Sequence, residues 1–83
     1  MTANIKGKSI PVDWMWLFKA TDRLKLRVTD PRKLSEVAKD FENAPVIERK
    51  SAEEGDETYT GYTVISEIVT DGNGYIITLI KEG

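Results

Sequence analysis

RLKLRVTDPRKLSEVAKDF, residues 23–41, changes its apolar period partway along, and that change sets the expected fold class. Leu24, Leu26 and Val28 alternate with Arg23, Lys25 and Arg27, the two-residue repeat of a strand with one apolar face and one basic face. From Leu34 the spacing becomes i, i+3, i+4, i+7 through Val37, Ala38 and Phe41, a single apolar stripe along a helix. Between the two patterns Thr29-Asp30-Pro31 stops the strand, with Asp30 placed to cap a helix and Pro31 suited to its first position. Asn43-Ala44-Pro45 ends the run. The spacing therefore predicts a helix over 31–42 with Leu34, Val37 and Phe41 buried.

Upstream, residues 4–12 (NIKGKSIPV) read as two short strand pieces around a tight turn at Gly7, with Pro11 confined to a sheet edge. Residues 13–20 (DWMWLFKA) are apolar on both faces. Trp14, Trp16 and Phe18 alternate while Met15 and Leu17 fill the other side, so periodicity does not separate a strand from a buried helical turn; a strand is expected. Downstream, 46–50 reads as a short strand and 51–57 (SAEEGDE) as a polar loop centred on Gly55. Residues 58–70 read as one long strand whose apolar phase slips near Val64-Ile65, the mark of a bulge assisted by Gly61. Asp71-Gly72-Asn73-Gly74 is a hairpin signal, and 75–81 returns as the last strand. The expectation is one α+β domain over residues 1–83: a mostly antiparallel sheet in the order β-β-β-α-β-β-β, with one helix packed on a sheet face.

The same 83 residues contain neither cysteine nor histidine. Disulfide and thiolate chemistry are excluded, along with the commonest general base and metal ligand. The serines at Ser9, Ser35, Ser51 and Ser66 have no histidine to activate them, and the chain has neither a G-x-S-x-G elbow nor a phosphate-cradling glycine loop. Asp71, Asn73 and Glu82 match positions 1, 3 and 12 of a calcium-binding loop, but Tyr75 and Ile76 stand where an oxygen ligand and a glycine are required. The expectation is a non-enzyme without cofactor or metal. Residues 1–6 lack the apolar stretch of a leader and no apolar run approaches the ~20 residues that cross a bilayer, so a cytoplasmic chain with no membrane partner is expected.

Three groups of residues are candidates for interaction. Trp14, Trp16 and Phe18 belong to a block too apolar to face one thin core entirely, so part of it is a candidate protein contact. Arg23, Lys25 and Arg27 form a basic face, expected to be an ordinary charged strand surface paired with acids such as Glu48 or Glu67; beside the aromatic block it is also the best nucleic-acid signal in the chain. Glu53, Glu54, Asp56 and Glu57 form an acidic loop, a candidate decoy for a basic target. The net charge is −2, which argues against nucleic acid, although residues 1–50 hold 11 Lys/Arg against 7 Asp/Glu and residues 51–83 hold one Lys against 7 acids.

The opening NIKGKSIPVD, the strand DRLKLRVTD before the helix, and GYTVISEI followed by DGNGYIITL resemble the small, largely uncharacterised proteins of tailed-phage and prophage gene clusters. The resemblance spans the whole chain and brings no catalytic or binding residue with it. What it implies is a structural or assembly role in a phage particle, carried out by contacts with copies of the same chain or with a larger protein, in the host cytoplasm or the virion. The competing expectations are a small inhibitory or regulatory binder acting through the acidic loop and, behind it, a single-strand nucleic-acid binder.

Overall fold

Short alternating segments punctuated by positive-φ turns give strands, and the computed structural model, which describes residues 1–82, contains eight. They are β1 (Thr2–Ile5), β2 (Lys8–Pro11), β3 (Trp14–Phe18), β4 (Arg23–Thr29), β5 (Val46–Lys50), β6 (Glu57–Thr60), β7 (Val64–Asp71) and β8 (Gly74–Ile80), with the helix α1 (Leu34–Phe41) between β4 and β5. Lys6 and Gly7, both at positive φ, make the two-residue β1–β2 turn expected around Gly7. Gly72 at φ 59° makes the β7–β8 turn. Gly74 is required for a different reason: a Cβ there would lie 2.0 Å from the Val28 carbonyl oxygen, so β8 starts on a residue with no side chain.

The strands form two four-stranded antiparallel sheets, ordered β2-β1-β5-β6 and β3-β4-β8-β7. With 54% of residues in strands and 10% in helix, the molecule is mostly β, and the expected α+β fold is corrected on two points. The order is four strands, a helix and four strands. The helix, moreover, is not laid on a sheet face. It sits beside edge strand β7, where the Asn43 N–H donates to the Thr63 carbonyl, and against the β1–β2 hairpin, where Lys6 Nζ donates to the Lys39 carbonyl and Lys8 pairs with Asp40. The sheets cover each other instead. Ala3, Ile5 and Ile47 from one meet Met15, Leu24, Leu26, Ile77 and Leu79 from the other, with Val37 and Phe41 of the helix completing a single core.

Two local expectations also change. Residues 58–70 are not one strand: β6 ends at Thr60, the chain passes through Gly61 (φ 89°) to Thr63, and β7 begins in the other sheet. The loss of apolar phase near Val64 marks that crossing, and the actual bulge is a register shift between Ile65 and Glu67. The helix begins at Leu34, three residues later than predicted, because Asp30 is already engaged. Its carboxylate accepts from the Arg32 backbone N–H at 2.9 Å and holds the Arg32 guanidinium, which also reaches Asp40 at 2.6 Å. Lys33 stands at the N-cap without a side-chain cap. Val37 and Phe41 are buried as expected, whereas Leu34 is 40% exposed.

Candidate interaction face

Strand registers place twelve residues in three rows across the outer side of the β3-β4-β8-β7 sheet. The rows are Trp14–Arg27–Ile76–Val69, Trp16–Lys25–Thr78–Glu67 and Phe18–Arg23–Ile80–Val64. At the inward positions of the same strands, Met15, Leu24, Leu26, Val28, Ile77 and Leu79 are buried and Leu17, Ile65 and Ile68 half-buried, which fixes the direction of the pleat. Residues 14–18 are thus a strand, and the aromatic surplus noted in the sequence is on the outside: Trp14, Trp16 and Phe18 are 38%, 54% and 45% exposed. Val64 and Val69 are exposed beyond the half-buried Ile76 and Ile80. Across the strands, the face is an aromatic column, a basic column, an Ile–Thr–Ile column whose Thr78 is buried, and a Val–Glu–Val column. The other sheet's outer side shows the ordinary alternative. Its registered rows there carry Ser9, Asn4, Glu48 and Thr58, and Pro11, Thr2 and Lys50, with Val46 beside Thr60 as an exposed apolar exception.

The basic column is not uniform. Arg27 is held by five bonds, among them Nε to Asp71 Oδ2 at 2.8 Å, Nη2 to the Asp71 carbonyl at 2.8 Å and to Asn73 Oδ1 at 3.1 Å, and Nη1 to Thr29 Oγ1 at 3.0 Å and to Asp13. The expected pairing with Glu48 or Glu67 is replaced by this network, because Asp13 and the β7–β8 turn lie at the end of β4 while Glu48 lies in the other sheet. Asp71 and Asn73, the would-be calcium ligands, are therefore occupied by a guanidinium. Among the described residues no group of three or more acids could hold a metal. Arg23 makes a single bond to Ser66 Oγ at 3.3 Å, and Lys25 Nζ lies 5.6 Å from the Phe18 ring centroid, a cation–π contact within the face itself.

The acidic loop is largely tied to its own neighbours. Asp56 accepts from the Ser51 backbone N–H at 3.1 Å and from Lys50 Nζ at 3.3 Å, bonds that hold its carboxyl below the usual carboxylate range. Glu57 accepts from Arg49 and from the Tyr59 hydroxyl; all four acids of the loop are exposed, and among the described residues the Glu53 and Glu54 carboxylates accept no bond.

Arg49 is the residue that sequence reading passed over. It alternates with Ile47, so its side chain points to the core side of its sheet, and that side chain is only 7% exposed. A cleft of about 420 Å³ opens beside it, bordered by Trp16, Leu17, Lys19, Glu54, Glu57 and Tyr59. The available signal was a charged residue at an apolar position of the two-residue repeat. No helix among the described residues is long and apolar enough to cross a membrane. No protein-family model, curated protein or solved structure matches the chain.

Proposed function

We propose that the protein is a non-catalytic structural or assembly protein that works by protein–protein contact, its first partner being a second copy of itself docked through the outer side of the β3-β4-β8-β7 sheet. The observation that carries this is the contrast between the two outer surfaces: one polar, the other presenting three aromatic side chains beside four aliphatic ones. Burying a large aromatic side chain is worth a few kcal/mol, and contiguous exposed apolar surface on a small domain marks a contact site.

Charge selects how two copies meet. With a two-fold axis along the strands, the aromatic column of one copy covers Val64, Glu67 and Val69 of the other, and the basic column covers Ile76 and Ile80. With the axis across the strands, Lys25 would face its own counterpart, and like charges directly opposite are destabilising. The resemblance to phage and prophage proteins supports the same reading and suggests host cytoplasm or virion as its location. Light scattering over an about hundredfold concentration range tests it. The chain is expected to dimerise, and Trp16→Ser is expected to give a monomer with unchanged circular dichroism. A chain that stays monomeric at the highest concentration overturns the reading.

One observation favours a second reading. Aromatic and basic columns side by side on a sheet are also how single-stranded nucleic acid is held. Arg27 is already neutralised by Asp13 and Asp71, so Arg23 and Lys25 remain, and the salt dependence of binding would be shallow. A sub-micromolar, salt-sensitive complex with oligo-dT would favour that reading over docking.

A further inference from the structure

The helix fills the side of the molecule at β7 and the β1–β2 hairpin, and the side at the other two sheet edges is open. There β3, an edge of one sheet, and β6, an edge of the other, border the cleft beside Arg49. Arg49 Nη1 donates to the Met15 carbonyl oxygen at 3.4 Å. The N–H and C=O of one residue in a strand point to the same side, and successive residues alternate. Met15 and Leu17 therefore present their backbone groups to the free edge of β3, while Trp14, Trp16 and Phe18 turn theirs toward β4. At Met15 the arginine side chain supplies the bond that the N–H of a fifth strand would supply.

That bond is weak, and so are its companions. Arg49 Nε reaches the Gly55 carbonyl at 3.3 Å, and Nη2 reaches the Glu54 carbonyl at 3.3 Å and Glu57 Oε2 at 3.4 Å. All four contacts lie beyond the usual 2.7–3.2 Å, and four acceptors serve five guanidinium donors. Glu57 uses one oxygen for the guanidinium and shares it with the Tyr59 hydroxyl, so the bidentate carboxylate pairing that suits a buried arginine is unmet.

The geometry points to strand addition: an extended segment of a partner protein pairs with the free edge of β3, gives a backbone N–H to the Met15 carbonyl, and sets one acidic side chain on the released Arg49 guanidinium. Lys19 at the rim adds positive charge, and Trp16, Leu17 and Tyr59 give the segment apolar walls. Glu54 and Glu57 disfavour a second negative charge, so the segment carries a single acid among uncharged or basic neighbours. The inference rests on the protein-binding reading but uses a strand edge and cleft rather than the outer face.

The test is an NMR titration of the whole chain with the blocked pentapeptide acetyl-Thr-Val-Glu-Val-Thr-amide, its Gln counterpart, the Glu peptide N-methylated at alternate residues, and acetate alone. Saturable shifts of the Met15 and Leu17 amides and the Trp16 indole are expected with the Glu peptide. The Gln peptide should bind about tenfold more weakly, as loss of a charge-assisted pair implies, and N-methylation should abolish binding. In Arg49→Lys, which keeps the charge and loses the fork, the Glu and Gln peptides should bind more nearly alike. No saturable binding at millimolar peptide, equal affinity of the Glu and Gln peptides for the unsubstituted protein, retained binding after N-methylation, or acetate reproducing the shifts each overturns strand addition. Light scattering reads dimerisation separately. A dimer that ignores the peptide overturns strand addition alone, and a monomer that binds it overturns only the face-to-face dimer.

Discussion

Arg23, Lys25 and Arg27 alternate on one strand and look interchangeable in the sequence, yet their neighbours give them different capacities to bind anything else. Arg27 has Asp13, Thr29, Asp71 and Asn73 around it; Arg23 has one serine hydroxyl. Alternation reveals which face a residue is on and nothing about partners 44 or 46 positions away, so the basic face was legible and its division was not. The same holds for Arg49, passed over in the sequence, whose alternation with Ile47 carries its inward direction but not the edge-strand carbonyl it reaches. The Arg27 network makes a pH prediction. The Asp13 carboxyl is held below its usual range, chiefly by the Thr29 hydroxyl, against desolvation and with the bond and charge of Arg27 adding to the lowering. A depressed carboxyl contributes stability above its unfolded pKa of about 3.9 and loses it as pH falls through the folded value. Asp13→Asn is expected to be less stable than the natural chain at pH 7, with the gap closing on acidification below about pH 4. Urea unfolding of both chains at pH 7 and at pH 3 checks this; a gap independent of pH would show that the Asp13 charge is immaterial.

The elements that were legible are those whose own residues fix them. The Leu24–Val28 alternation, the Gly7 turn, the Asp71–Gly74 hairpin and the Val37–Phe41 spacing each need only local chemistry. What failed was any boundary decided by side-chain partners or sheet membership rather than by apolar period. The start of the helix moved because the Arg32 guanidinium binds Asp30 and Asp40 together, and the long strand divided because its two parts serve different sheets. The helix makes a paired prediction. Phe41 is fully buried in the common core, so Phe41→Ala should cost about 3–5 kcal/mol. Leu34, on the same nominal stripe but 40% exposed, should cost less than about 1 kcal/mol as Leu34→Ala. Thermal or urea denaturation of the two variants decides; equal losses would place Leu34 in the core after all.

Which surface covers which was beyond the reach of periodicity altogether. A strand pattern states that one side is buried and is silent on whether a helix or a second sheet buries it, and the single strong helical stripe drew the expectation toward a helix on a sheet. In the molecule each sheet takes two strands from before the helix and two from after it. Each sheet therefore carries strands from both the basic first half and the acidic second half, and the polarity of charge along the chain does not separate one sheet from the other. This arrangement also bears on how the fold is completed at the ribosome. Of the eight strands β8 comes last in the order of synthesis, yet it lies inside its sheet, between β4 and β7, so β4 lacks its second partner and β7 its only one until synthesis has passed Ile80. A nascent chain stopped in the β7–β8 turn has a slot rather than a frayed end. Residues 1–72 and a separate peptide of residues 73–82 should therefore behave as a split pair. The fragment alone is expected to be degraded throughout by a low dose of protease, and mixing is expected to restore protection and the circular dichroism of the intact chain. A protease-resistant 1–72 fragment would mean that β4 and β7 hold their places around an empty strand position.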